Sequence, residues 1–198
     1  MRKEDIAMPD EVQLALEILH HFYPERTPLF ELLIRHSTQV AGKAGSVLRN
    51  CPGLPLDPAA VEAGCLLHDI GIRECHAPDI LCTGGQPYIA HGIIGGKMLR
   101  LYGARHGLDL EKYARICERH TGTGLTAEDI RRQGLPLPAR DFLPETLEEK
   151  LICFADKFYS KSGEMKEKSV ERIERSMARF GPDTLTRWNE LCRLFGVG

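Results

Sequence analysis

Apolar residues recur in this chain at spacings of three and four, and strict alternation is found nowhere. From Glu11 to Phe22, and again through Leu29, Leu32, Leu33, His36, Val40, Ala44 and Val47, the period is that of an amphipathic helix. A strand turns successive side chains to opposite faces, so a helical pattern laid out as a strand would bury and expose the wrong residues. The pattern therefore predicts an all-α chain, a helical bundle of roughly eight or nine helices.

Local signals place these helices. Asp57-Pro58, an N-cap with proline in the first turn, opens a helix through Val61, Cys65, Leu66 and Leu67 that should stop near Gly71, with His68 and Asp69 in its last turn. Residues 72–87 contain two prolines and a Gly-Gly pair and read as a long loop, a candidate cover for a site with Gly84-Gly85 as its hinge. Helical patterning returns around Tyr88 to Tyr102 and from Asp109 to about Arg119. Thr126 with Asp129 marks a short capped helix, and a proline-rich irregular connection follows. Thr146 with Glu149 forms a capping-box pattern that opens a helix containing Asp156. A last helix, Asp183 to Leu194, carries the only tryptophan, Trp188.

The 198 residues suffice for one hydrophobic core and read as a single domain over 1–198, with flanking helices around a motif-bearing centre at about 30–160. A net charge of -2 gives long nucleic acid no electrostatic footprint. The first residues lack an apolar signal core and no stretch reaches bilayer length, so the expected location is cytoplasmic. Seven cysteines without a C-x-x-C pair argue against a disulfide framework or zinc knuckle. Cys65, Cys117 and Cys153 read as small buried hydrophobes, while Cys75 and Cys82 fit no pattern.

The chemistry lies in imidazoles and carboxylates that interrupt apolar stripes. His36 shares a helical face with Leu32 and Val40, His91 with Ile94 and Met98, His120 with Ile116, and Asp156 with Ile152. Any one of them alone would read as a hydrogen-bonded core residue. Together with His68 and Asp69 they supply four imidazoles and two carboxylates, enough ligands for two divalent cations held between facing helices.

The order His36, then His68-Asp69, then His91, His120 and Asp156 resembles the HD phosphohydrolase superfamily, and CLLHDIG is typical of it. AHGIIGG, ERHTGTG and FADKF resemble the downstream motifs of its dinuclear branch, with likeness to HDIG-type bacterial and archaeal proteins and to symmetrical diadenosine tetraphosphate hydrolases. The resemblance implies that His36, His68, Asp69 and Asp156 hold one metal and His91 and His120 a second, with Asp69 bridging. Iron or manganese are the metals expected, with water activated at the pair as the attacking group. It implies a small phosphoester substrate, a nucleotide foremost.

Candidate phosphate contacts are Arg73, Arg119, Thr121 and Lys157, and His76 is a candidate acid beside Asp69 and Arg73 in the catalytic set. Many relatives place lysine directly after HDIG, whereas this chain reads HDIGIR. The same ligand pattern also serves a small di-iron oxygenase branch, for which Tyr23 and Glu25 are the residues to locate, and a metal-braced binding module is the third alternative. His20, His21 and His106 fall outside the pattern.

Overall fold

The structure, a computed structural model, describes residues 10–196. Nine α-helices are present among them: α1 (Glu11–Phe22), α2 (Pro28–Asn50), α3 (Pro58–Leu67), α4 (His91–His106), α5 (Glu111–Arg119), α6 (Ala127–Gln133), α7 (Leu147–Asp156), α8 (Val170–Ala178) and α9 (Pro182–Leu194). The all-α expectation holds, and so do its start signals. The Asp57 carboxylate accepts from the Ala59 N–H at the start of α3, and both halves of the capping box form at Thr126/Asp129 and at Thr146/Glu149. Each satisfies backbone donors that a helix start leaves without partners.

Helices α3 and α7 are the interior of the bundle. α3 buries Val61 and every residue from Ala63 to Leu67, and α7 every residue from Leu151 to Asp156, as expected for helices apolar on nearly all sides. α1 and α2 cover α3, α4 lies along α5, and α7 touches α2, α3 and α5. At the C-terminal end, Trp188 of α9 is fully buried and stacks on Phe154 of α7, with ring centroids 5.3 Å apart and an interplanar angle of 15°. None of these helices is long and apolar enough to cross a membrane.

Residues 72–87 correct the sequence reading. In place of a structureless loop, a 3-10 turn over Ile70–Glu74 leads into a small sheet of β1 (Cys75–Ala77), β2 (Cys82–Thr83) and β3 (Gln86–Pro87), ordered β2-β1-β3. β2 pairs antiparallel with β1, and β3 pairs parallel with it. Strands of two or three residues are too short to display alternation, which is why the pattern missed them. Gly84 is a packing point rather than a hinge: its N–H donates to the Cys75 carbonyl at 2.7 Å, and a Cβ there would stand 2.2 Å from the Glu74 carbonyl carbon. The sheet also accounts for Cys75 and Cys82, both fully buried like Cys65, Cys117 and Cys153. Burial pushes the Cys75 thiol up to about 11.

Candidate metal centre

Six side chains meet where several helices end. His36 is the exception, set within α2 between buried Leu33 and Val40. His68 follows the last residue of α3, and Asp69 is the junction with the 3-10 turn, so the pair lies just beyond the helix that the sequence placed it inside. His91 is the first residue of α4, His120 follows α5, and Asp156 is the last residue of α7. All six are at most 8% exposed.

Three of the imidazoles are aimed by one device. Nδ1 of His68 lies 2.6 Å from the Cys65 carbonyl, Nδ1 of His91 2.6 Å from that of Tyr88, and Nδ1 of His120 2.8 Å from that of Cys117, in each case three residues back. The Cys65 and Cys117 carbonyls belong to the last turns of α3 and α5, where carbonyls lack intrahelical partners. A carbonyl only accepts, so Nδ1 carries the proton in the neutral ring and Nε2 presents a bare lone pair to the site. Tyr88 stacks on His91 at 4.8 Å between centroids and fixes that ring further.

Asp69 divides the cluster. Its Oδ2 lies 3.3 Å from His36 Nε2 and 3.0 Å from His68 Nε2, while its Oδ1 lies 3.3 Å from His91 Nε2 and 3.4 Å from His120 Nε2. Asp156 joins the first group, with Oδ1 2.9 Å from His36 Nε2 and 3.6 Å from His68 Nε2. Ligand atoms of His36, His68, Asp69 and Asp156 lie within 4.8 Å of one another, and so do those of Asp69, His91 and His120.

Electrostatics makes this arrangement costly without a cation. His91 Nε2 and His120 Nε2 stand 3.0 Å apart, lone pair toward lone pair. His68 Nε2 and both Asp69 oxygens are buried with no hydrogen bond of ordinary geometry. Imidazole nitrogens with carboxylate oxygens suit first-row divalent metals, so the residues fit the metal that the cluster implies. Burial depresses His91 to about 3 and also lowers His120, leaving both neutral and able to ligate. Burial works against protonating His68 as well, yet Asp69 and Asp156 outweigh it and lift this ring to about 9. Burial likewise opposes ionising Asp69, and the cationic His68 and Lys161 hold it well below the usual carboxylate range.

The HD domain family matches residues 33–160, a span that contains all six residues. This chain belongs to the HD domain family. It is 36% identical over 146 residues to the uncharacterized protein MJ0778 of Methanocaldococcus jannaschii, covering 74% of this chain and 73% of that protein. It is also 35% identical over 130 residues to a tRNA (cytidine(56)-2'-O)-methyltransferase of Picrophilus torridus, and 29% over 163 residues to the protein of that name from Thermoplasma volcanium. The chain spans only 32% and 40% of those two, although 66% and 82% of itself is aligned. No solved structure matches it.

The HD motif and the HGIIGG segment are joined by close backbone packing. A Cβ on Gly71 would stand 2.2 Å from the His91 carbonyl oxygen, and one on Gly92 2.3 Å from that of Cys117. Glycine at these points lets α4 approach both the HD turn and α5, which carries His91 to Asp69 and His120.

Other expected residues are distributed differently. Lys157 is at the site, its ammonium 2.7 Å from Asp156 Oδ2 and 3.1 Å from the His120 carbonyl oxygen. Thr121 is half-buried beside His120. Arg119 has its guanidinium bonded to the Leu143 carbonyl and the Glu145 carboxylate. Arg73 pairs with Glu74 at 3.1 Å and lies over the Tyr23 ring, outside the HD cluster. His76 is exposed on β1. Tyr23 donates to the Ile70 carbonyl at 2.8 Å and Glu25 is exposed, so neither enters the cluster. The sequence reading missed Lys161, whose ammonium stands 2.5 Å from Asp69 Oδ2 with its side chain 10% exposed. It falls in a non-helical segment after α7, where no periodicity marks a residue as inward-facing.

Proposed function

We propose that this HD domain protein is a metal-dependent phosphohydrolase acting on a small phosphoester, foremost a nucleotide, with two divalent ions, iron or manganese, as cofactors. The single observation behind this is the divided carboxylate of Asp69, one oxygen facing His36 and His68 and the other facing His91 and His120. His36, His68, Asp69 and Asp156 would hold one ion, and His91 and His120 would share Asp69 with it to hold the second. Bound there, such a pair supplies a water of lowered pKa and neutralises charge building on a phosphoryl group.

The remaining tasks fall to the chain itself. The buried walls limit access of bulk water, which strengthens every charge interaction inside. Lys161 brings a cation into the cluster, and Tyr88 contributes a hydroxyl next to it; burial would lower the charge of this lysine, but Asp69, Tyr88 and Asp156 outweigh that and keep it protonated. Lys161 thus takes the place, as contact for phosphoryl oxygens, that the lysine after HDIG holds in many relatives. Two relatives are named as tRNA-modifying enzymes, which brings RNA-derived small phosphoesters into the substrate class to be assayed.

The test is to purify the protein without chelators, count its metals by mass spectrometry, and assay phosphate or nucleotide release. The panel would span phosphomonoesters, nucleotides, dinucleoside polyphosphates and short RNA ends. Expected are two metals per chain and turnover abolished by Asp69→Ala. Full metal loading without turnover of any member would reject the proposal.

A further inference from the structure

Beyond α7 the chain folds back on the metal centre. The Lys168 N–H donates to the Phe158 carbonyl at 2.8 Å, which returns the segment to the end of α7 and brings Lys168 into one cleft with Lys157, while Lys161 of the same segment reaches Asp69. Lys157 and Lys168 line a cleft of about 240 Å³ with Asp156, Gly122 and Tyr159 on one side and Ile173, Ser176 and Met177 of α8 on the other. Lys157 faces Asp156 and Lys161 faces Asp69. Lys168 differs from both. It is half-buried, and no carboxylate among the described residues comes within 4.0 Å of its ammonium. Burial lowers its tendency to hold a proton; Asp156 opposes this, and Lys157, Arg172 and Lys161 add to it.

A partly desolvated ammonium among other cations is unfavourable unless an anion joins it. The edge is cationic even before metals are considered, because two carboxylates, Asp69 and Asp156, face three lysines. With Asp69 turned to metals, Lys161, which shares Oδ2 with His36 and His68, would also need an anionic partner. Glu167, the acid nearest Lys168 in sequence, is committed to Lys43 and Tyr159.

We propose that the cleft between Lys157 and Lys168 is a subsite for a second phosphoryl group, adjoining the one that reacts, so that the substrate is a diphosphate or longer phosphoanhydride chain rather than a simple monoester. This rests on the phosphohydrolase reading and narrows its substrate class. Asp156 belongs both to the metal cluster and to the cleft wall, so the second group lies next to the first. Lys157 and Lys168 grip it from two sides, and Lys161 holds the reacting group.

Two non-hydrolysable probes test this by titration calorimetry on the metal-loaded protein, with metal content measured again afterwards: methylphosphonate, with one anionic group, and methylenediphosphonate, with two. Wild type is expected to prefer the diphosphonate. In Lys168→Met, which keeps the apolar stem, diphosphonate affinity should fall about tenfold, the scale of a hydrogen bond to a charged group, while methylphosphonate affinity is unchanged. Lys168→Arg should restore the preference, and Lys166→Met, at an exposed lysine two residues away, should leave it intact. If Lys168→Met fails to fold, Lys168→Gln takes its place. A diphosphonate preference equal in wild type and the Lys168 variants would overturn the subsite and leave the phosphohydrolase reading standing. Binding of neither probe by fully loaded protein would overturn both.

Discussion

Gly71→Ala puts a methyl group into the contact that sets the spacing of the His/Asp cluster. The new Cβ would stand 2.2 Å from the His91 carbonyl oxygen, 2.5 Å from the Gly95 nitrogen and 3.1 Å from the Gly95 Cα. Comfortable separation of such atoms is about 3.5 Å, so the start of α4 must retreat by about 1 Å. Overpacking costs about 1–3 kcal/mol, and backbone obstacles, unable to swing aside as a side chain does, put this case near about 3. Alanine returns about 0.4–1 kcal/mol by restricting the unfolded chain, leaving a net loss of about 2. In a protein of this size that corresponds to a fall of about 4–8 °C in Tm. The same retreat moves His91, whose Nε2 is 3.3 Å from Asp69 Oδ1 and 3.0 Å from His120 Nε2. Metal bonds tolerate errors of only about 0.2 Å, so of the two ions proposed, the one on the His91 side should be lost first. Thermal melting followed by Trp188 fluorescence, with metal counting on the same samples, reads both effects. A Tm within about 1 °C of wild type and an unchanged metal count would show that α4 does not retreat.

Three further outcomes are expected. His91→Ala and His120→Ala should each remove one metal per chain, whereas Asp69→Ala should remove both; equal losses in all three variants would contradict a bridging role. In metal-free protein, His68, raised to about 9, contributes stability that is full below the unfolded value of about 6.5 and lost as pH rises through about 9. His91, depressed to about 3, and His120, also depressed, act oppositely: their contribution is present above about 6.5 and lost as pH falls below it, because the unfolded chain takes up protons that the folded rings refuse. The urea midpoint with chelator present should therefore peak near pH 6.5 as far as these rings govern it, and a flat profile from pH 5 to 9 would argue against it. At Asp129, burial opposes ionisation, but Thr126 and Arg187 outweigh it and hold the carboxyl below its usual range, with Arg187 at 2.9 Å and Arg132 at 2.6 Å. Asp129→Asn should cost about 3 kcal/mol at neutral pH, and its difference from wild type should shrink as pH falls through about 3.9; a constant difference down to pH 3 would exclude the charge as its cause.

The helices were legible in the residues alone, because apolar periodicity and capping residues are local properties. Asp57, Thr126 and Thr146 start their helices where their side chains can satisfy free N–H groups. The sequence also made four inward-facing polar residues visible, His36, His91, His120 and Asp156, since an imidazole within an apolar stripe such as Leu33-His36-Val40 must enter the core with the rest of its face, while His68 and Asp69 were marked by the HD motif. Tertiary structure decided what those residues share. Which Asp69 oxygen faces which histidines depends on the crossing of α4 with the HD turn, set by contacts at Gly71 and Gly92 between residues far apart in sequence. The sheet at residues 75–87 depends on pairings too short to leave a pattern. The partners of Arg119 and Lys161 were likewise decided by the tertiary structure. Both side chains are long and flexible, so the partner that captures each, Glu145 for one and Asp69 for the other, exists only once the chain has folded.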